Sequence, residues 1–357
     1  MRSYNFKRTF NLPFENNVPN LIENHLNEVN LFKRHVKFLR RSFYMNLRRQ
    51  KKLEVFSILQ EHKNILWINM AAPSLGDSLM DLSSRALLKD KNLDLFTDSK
   101  NAHIYQSDLF FNKVFTSVKD KIRGNYDLVI IDSYSTRSIK IKSIIAPKVP
   151  FTGIYGYFNG PEVNRILFSF YQLNNLLGNI KSLNEIDSIA KNSITISEKD
   201  KEIVSNIIPK KYISIVLGGD WGYKVYESWD QVISKIITDN PNLNLILLGS
   251  DNANSMAKKI LKILPTSNVY NFVDKLSFNQ TVQVMKKSNL VFCCDGGLMH
   301  GANALNIKNI TLFARLTPKM LLTNSANSFY LYDKSDVNNI SSDEVISKFN
   351  QIVNQVL

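Results

Sequence analysis

From residue 64 onward, short apolar runs alternate with longer amphipathic ones, and the alternation runs through twice. In the first pass, "NILWIN" (64–69), "LDLFTD" (93–98), "YDLVIIDS" (126–133) and "VPFTGIYG" (149–156) read as strands, while "SLMDLSSRALLK" (78–89) has helical spacing. In the second pass the strands are "YISIVLGG" (212–219), "LNLILLGS" (243–250), "NVYNF" (268–272), "NLVFCCD" (289–295) and "NITLFA" (309–314). "SWDQVISKIITDN" (228–240), "NQTVQVMKKS" (279–288) and "LMHGANALN" (298–306) are the helices between them. Short strands that are apolar throughout, separated by helices, need a parallel sheet covered on both faces. The expected fold is α/β: two Rossmann-like, doubly wound domains facing a central cleft.

The chain has 357 residues, enough for two domains of about 150 each. Residues 1–60 read as a basic, largely helical N-terminal extension, 61–190 as the first domain and 205–335 as the second. "NRILFSFYQLNNLLG" (164–178) is helical in its spacing, and polar residues 181–202 look like the connection. A last helix is expected over 340–357, opened by Ser341 or Ser342 and packing back on the first domain. No apolar run reaches about 18 residues, so no membrane-spanning helix is expected. The N-terminus lacks the apolar core of a secretory signal. The only cysteines, Cys293 and Cys294, are neighbours in a strand and point to opposite faces. That argues against a disulfide framework or a cysteine zinc site and for a reducing cytoplasm.

The net charge is +14, and much of it is local. Between Asn30 and Leu53 there is no acid but nine basic residues, among them Arg40, Arg41, Arg48 and Arg49. Leu31, Phe32, Val36, Phe38, Leu39, Phe43, Tyr44 and Leu47 lie between the charges. Such a segment suits an anionic surface (a membrane, a nucleic acid or an acidic substrate), or is simply a solvated basic helix. No zinc finger, helix-turn-helix or RNP motif accompanies it, so a nucleic-acid partner is not expected.

Ligands of open α/β sheets sit beyond the C-terminal ends of the strands, and three such corners stand out. In "NMAAPSLGDSLMD" (69–81), Ser74, Gly76 and Asp77 lead from a strand into a helix. Gly76 permits a tight turn and a close approach to a ligand. Asp77 is either a plain N-cap or an acid presented at the cleft. The glycine spacing is not GxGxxG, so no dinucleotide fingerprint is supported. In "VLGGDWGYK" (216–224), Gly218 and Gly219 end a strand, and Lys224 follows in a loop, either exposed or set to neutralise a phosphate. In "LVFCCDGGLMHGANALNIKNITLF" (290–313), a strand runs into Asp295, Gly296 and Gly297, and a helix starts at Leu298. N–H groups at a helix start bind anions, and glycines let a phosphate come close. His300 either donates to that anion or is a satisfied, partly buried histidine behind a cap made by Asp295. Together the corners suggest a nucleotide-type donor on the second domain facing an acid from the first, which fits sugar transfer.

These corners resemble glycosyltransferase family 9, the heptosyltransferase family, of GT-B fold. "SLGDSLMD" (74–81) is similar to the family's S-x-G-D corner, and "DGGLMHGANALNIKNITLF" (295–313) to its D-[ST]-G-x-x-H-x-A-x-A-L corner. "LNLILLGSDNAN" (243–254) is similar to the family's strand ending in a glycine and a polar ribose-binding loop, which gives Gly249 and Asp251 donor contacts. The likeness covers about residues 63–330. It implies a metal-independent, inverting transfer without a cofactor, from a donor on the C-terminal domain to an acceptor on the N-terminal domain. Asp77 deprotonates an acceptor hydroxyl that attacks the anomeric carbon of a nucleotide sugar, usually ADP-L-glycero-D-manno-heptose. Lys224 and the 295–300 helix start, with Gly218, Gly219, Gly296, Gly297 and His300, receive the diphosphate. The implied acceptor is the Kdo-lipid A inner core of lipopolysaccharide, an anionic lipid-linked saccharide. The implied place is the cytoplasm, peripherally on the inner membrane, with Ser74, Gly76 and Arg40, Arg41, Arg48 and Arg49 toward acceptor or membrane.

The sequence departs from the family at the donor corner. Gly296 stands where the family has a hydroxyl residue, and Gly218 and Gly219 stand where it often has Thr or Ser. The lysine-x-Trp-Pro pattern reads Lys224-Val225-Tyr226-Glu227, and glycine-proline-threonine after the last strand reads Ala314-Arg315-Leu316-Thr317-Pro318. Another nucleotide sugar or acceptor is therefore an alternative within the family. Outside enzymology the alternative is a degenerate GT-B protein that binds nucleotide or an anionic membrane without turnover.

Overall fold

The computed structural model describes residues 31–352 apart from 71, 73, 121, 123, 157–163, 265–267 and 325. The expectation for residues 1–30 of the extension, and for 353–357 of the last helix, lies outside the described residues. The chain divides into two compact units, Met1–Lys191 and Asn192–Leu357.

The first unit opens with α1 (Leu31–Leu47) and continues through β1 (Asn64–Asn69), α2 (Leu75–Asp81), β2 (Asn92–Thr97), α3 (Ser99–Tyr105), β3 (Phe111–Phe115), β4 (Leu128–Ile131), α4 (Thr136–Ile145), β5 (Phe151–Gly153), α5 (Arg165–Leu176) and α6 (Leu183–Ile189). Every described strand pairing is parallel, in the order β3-β2-β1-β4-β5. The central strands β1 and β4 are buried on both faces, which is why they read as unbroken apolar runs. The order reverses direction between β1 and β4. There Asp132, just past β4, accepts from the Met70 N–H just past β1 at 2.5 Å and from Ser138 Oγ at 2.7 Å.

The extension is built into this unit. Met45 is fully buried beside Leu66, Ile68, Val129, Ile131 and Phe151 in one core cluster. Gln50 is tied down by its Nε2 to the Pro147 carbonyl and by Lys142 Nζ, which donates to its Oε1 at 2.6 Å. Glu54 bridges Phe151 in parallel, and the Val55 N–H donates to the Phe151 carbonyl. Arg41 is buried, which corrects the expectation that it meets an external anion. Arg48 is half-buried and donates to Tyr44 Oη, whereas Arg40 and Arg49 are exposed.

The second unit runs α7 (Glu198–Ser205), β6 (Tyr212–Val216), α8 (Trp229–Asp239), β7 (Asn244–Leu248), α9 (Asn254–Ile263), β8 (Val269–Asn271), α10 (Phe278–Lys287), β9 (Val291–Cys294), α11 (Gly297–Ala304), β10 (Asn309–Ala314), α12 (Pro318–Leu321), β11 (Ser328–Asp333) and α13 (Ser342–Ile352). Its parallel sheet has the order β11-β10-β9-β6-β7-β8, so the switch of direction lies between β6 and β9. Trp229 centres the core, edge-on to Tyr226 and Phe292 at 5.0 and 6.2 Å between centroids. The described part of the last helix belongs to this core. Val345, Phe349 and Ile352 are buried there, and Phe349 meets Phe292. The apolar face of this described part is used within the second unit. Cys294 sits in the same core, while Cys293 lies 3.3 Å from Thr311 Oγ1. Burial pushes the Cys293 thiol up to about 12, so it stays protonated and inert at neutral pH.

Candidate active site

In the first unit the chain leaves β1 and enters α2 at Ser74. Its backbone is extended, and its Oγ accepts from the Asp77 N–H at 3.2 Å, so the N-cap is Ser74. Asp77 is the third residue of the helix, not its cap. One carboxylate oxygen of Asp77 receives the Ser74 hydroxyl at 2.7 Å, and the other is ion-paired with Arg165 Nη1 at the start of α5. Asp77 is still 19% exposed in its side chain, so the carboxylate rim meets solvent. Gly76 is buried beside it.

Asp81 lies one turn further on the same face of α2. It accepts from Arg165 Nε at 3.0 Å and Nη2 at 2.5 Å, so the guanidinium spans both aspartates. Tyr155 lies under that guanidinium at 5.5 Å, and its hydroxyl donates to the Arg165 carbonyl. Burial pushes the Asp81 carboxyl up to about 6, outweighing the pull of Arg165, and the nearby charge of Asp77 adds to the rise. Burial opposes the charge of Arg165, but Asp81, Tyr155 and Asp77 around it raise its pKa further. Asp81, Arg165 and Tyr155 escaped the sequence reading. The four-residue spacing of Asp77 and Asp81 was the available signal. Arg165 is distant in sequence and carried none.

In the second unit, Lys224 ends a short 3-10 turn, Gly222–Lys224, after β6, and Asp295 follows β9. They form an ion pair at 2.5 Å, with side chains 13% and 3% exposed. This pair bridges the two strand ends at the switch of the sheet, where doubly wound folds hold their ligands. Lys224 is thus neither a solvent-exposed lysine nor a free loop cation. Gly218 has φ +82, and a Cβ there would lie 2.4 Å from Asn252 Oδ1. A Cβ on Gly219 would lie 2.8 Å from the Lys224 carbonyl oxygen. A side chain at Gly218 is strained by that left-handed backbone, and one at Gly219 needs the backbone to shift, so neither position takes threonine or serine without a local change. Asn252 ties the corner to the β7 end by donating to the Gly219 carbonyl, next to Gly249 and the 3-10 turn Asp251–Ala253. The Asp251 carboxylate is exposed and accepts from the Asn252 N–H at 2.9 Å.

Helix α11 starts at Gly297 with Gly296 at the N-cap, one residue earlier than expected and without a cap from Asp295. Gly296 is extended, and a Cβ added there meets nothing within 4 Å. The space faces no side chain, unlike that at Gly218. His300 is buried rather than partly exposed, and Asn192 Nδ2 donates to its Nδ1 at 3.2 Å. Arg315, just past β10, keeps a left-handed φ of 64°. Its guanidinium lies 3.8 Å over the Tyr223 ring, and Lys224 Nζ lies 5.7 Å from that same ring. Tyr223 therefore brings a second cation beside Lys224, one that sequence reading passed over.

The profile of glycosyltransferase family 9 (heptosyltransferase) matches residues 164–343, half of the 357-residue chain. Among solved structures, the glycosyl transferase family 9 protein of Veillonella parvula DSM 2008 is similar with a TM-score of 0.71 and 13% identity, covering 84% of this chain and 100% of that one. The ADP-heptose LPS heptosyltransferase II of E. coli gives 0.60 and 17%, covering 82% and 99%. The E. coli heptosyltransferase WaaC with ADP gives 0.59 and 14%, covering 82% and 100%. At these identities the likeness is one of fold, and it places the two α/β units in the GT-B class. No curated protein matches the sequence.

Proposed function

Because the chain belongs to glycosyltransferase family 9, the heptosyltransferase family, we propose that it transfers L-glycero-D-manno-heptose from ADP-heptose to the Kdo and inner-core region of lipopolysaccharide. The observation that carries this reading is the Lys224–Asp295 pair across the β6/β9 switch, set among strand-end glycines beside the start of α11. In the reading, the diphosphate takes its place against Lys224, Arg315 and the N–H groups of Gly297 and its neighbours. The solved WaaC structure of similar fold is described as holding ADP, which supports a nucleoside diphosphate here.

The chemistry is a single displacement. Asp77 accepts the proton of an acceptor hydroxyl as its oxygen bonds to the anomeric carbon. The bond from that carbon to the diphosphate oxygen breaks, ADP leaves with the electron pair, and the anomeric centre inverts. General-base help is worth about 10²–10⁴-fold. Charge developing on the leaving group is met by Lys224, Arg315 and backbone amides. No metal or other cofactor is assigned a role. The acceptor is an anionic, lipid-linked saccharide, so the enzyme works at the inner face of the cytoplasmic membrane, where exposed Arg40 and Arg49 suit an anionic surface.

One observation favours a second reading, a donor-binding protein without turnover: both carboxylate oxygens of Asp77 are already engaged, by Ser74 and Arg165. A thermal-shift series with ADP, UDP, GDP and CMP separates the donor alternatives. Saturation at about a hundredfold over Kd adds about 2.7 kcal/mol to apparent stability, and the expected shift is selective for ADP. A shift selective for UDP or GDP discards heptose, and no shift at all removes the donor site from the account.

A further inference from the structure

Helix α1 presents two apolar faces. One packs inward through Met45, with Phe38 and Tyr44 against the same core. The other is exposed: Phe32 is 76% accessible, Val36 49%, Leu39 63%, Phe43 69% and Leu47 64%. At 3.6 residues per turn these five fall within about 80° of arc, on the side away from Met45. A surface helix ordinarily turns polar residues to water there, and a continuous apolar stripe of this kind marks an interaction site.

The charges around the stripe select its partner. Residues 30–53 contain no acid; of the cations there Arg41 is buried and Lys51 pairs with Glu54, while exposed Lys33 and Arg40 border the stripe on one flank. A second copy of the chain would set two such cationic helices against each other. An anionic bilayer instead offers acyl chains to the stripe and phosphate groups to the lysines and arginines. No described helix is long and apolar enough to cross a membrane, so the fitting geometry is in the plane of the interface.

We infer that α1 is an interfacial membrane anchor, which inserts Phe32, Val36, Leu39, Phe43 and Leu47 among the acyl chains of an anionic leaflet. The inference deepens the reading of a lipid-linked acceptor. It adds that the hold is apolar insertion and not charge attraction alone.

The test is flotation of the full-length protein with vesicles of phosphatidylglycerol and phosphatidylethanolamine that carry no saccharide, in a salt series. Wild type is expected to float, with a fraction still bound at 1 M salt, where electrostatic attraction is screened out at about 3 Å. The double variant Leu39→Ser, Phe43→Ser is expected to lose about thirtyfold or more in partition at every salt concentration. Both positions are exposed, so its melting temperature is expected to match wild type. Phe43→Trp is expected to shift to the blue on vesicle addition and to be quenched by lipids brominated in the acyl chain.

Complete release by salt together with an unaffected double variant overturns insertion. So does a Phe43→Trp signal already blue-shifted in buffer and unchanged by vesicles, which would mean that another part of the chain or a second copy covers the stripe. Transfer to a delipidated, water-soluble acceptor reads the enzyme independently. Flotation lost with that activity intact refutes the anchor alone, and flotation kept without any activity refutes the transferase reading alone.

Discussion

Gly296 shows how one residue separates a lost contact from a lost site. The family's hydroxyl is missing there, yet the backbone is extended and a Cβ meets no atom within 4 Å. Gly296→Ser should therefore fold normally and add a hydrogen bond to the diphosphate, tightening ADP about tenfold in a calorimetric titration. Unchanged or weaker ADP binding would place the diphosphate elsewhere. Gly218→Ser should do the opposite and weaken ADP, because its φ of +82 strains any L side chain and the added Cβ displaces Asn252. Asp81 offers a test by pH. Burial holds its native pKa near 6 against an ordinary 3.8. Between those values the native state binds a proton that the unfolded chain has released, so this residue's contribution to stability falls as pH rises through the window. Melting curves of wild type and Asp81→Asn between pH 4 and 7 should diverge accordingly, wild type losing ground toward pH 6. Parallel curves would show that Asp81 ionises normally.

At the scale of elements, most of both sheets was legible because buried parallel strands are short, apolar and separated by helices. β3 and β11 were missed for a physical reason. They sit at the sheet edges, and the pattern of Phe111–Phe115 and Ser328–Asp333 mixes exposed and buried positions, which reads as loop. Helix α4 was missed too, since its sequence carries only weak amphipathicity: "TRSIKIKSII" alternates apolar and polar residues as a strand does. The glycine corners at Gly218–Gly219 and Asp295–Gly297 were legible because strand-end glycines are local. The Asp77–Arg165–Asp81 bridge joins residues 88 apart in sequence, and no local pattern announces it. The helical spacing of Leu31–Leu47 was legible, but its anchorage was not, because Met45 docks on strands far along the chain. Met45→Ala should cost about 2–4 kcal/mol in urea unfolding. A cost near zero would mean that α1 is not part of the first unit's core.

For the whole molecule, two units of the same design would, in the proposed reading, carry the two halves of a transfer. Each has its polar constellation where its sheet reverses direction, Asp132 and the Asp77 corner beside β1 and β4, Lys224 and Asp295 beside β6 and β9. The proposed donor is charged, which the cations and amides at the second unit's corner suit. The proposed acceptor must lose a proton, and the proposed base is Asp77 of the first unit, whose carboxylate is held by Arg165 and Ser74. The most direct test is mass-spectrometric detection of product from ADP-heptose and a Kdo-lipid A acceptor, with wild type and Asp77→Ala side by side and ADP binding measured on both. Wild type is expected to give a product heavier by one heptose, Asp77→Ala to lose about 10²–10⁴-fold in turnover, and the two proteins to bind ADP alike within a few-fold. Equal turnover by Asp77→Ala, or no product from a wild type that binds ADP, would contradict the proposed transfer.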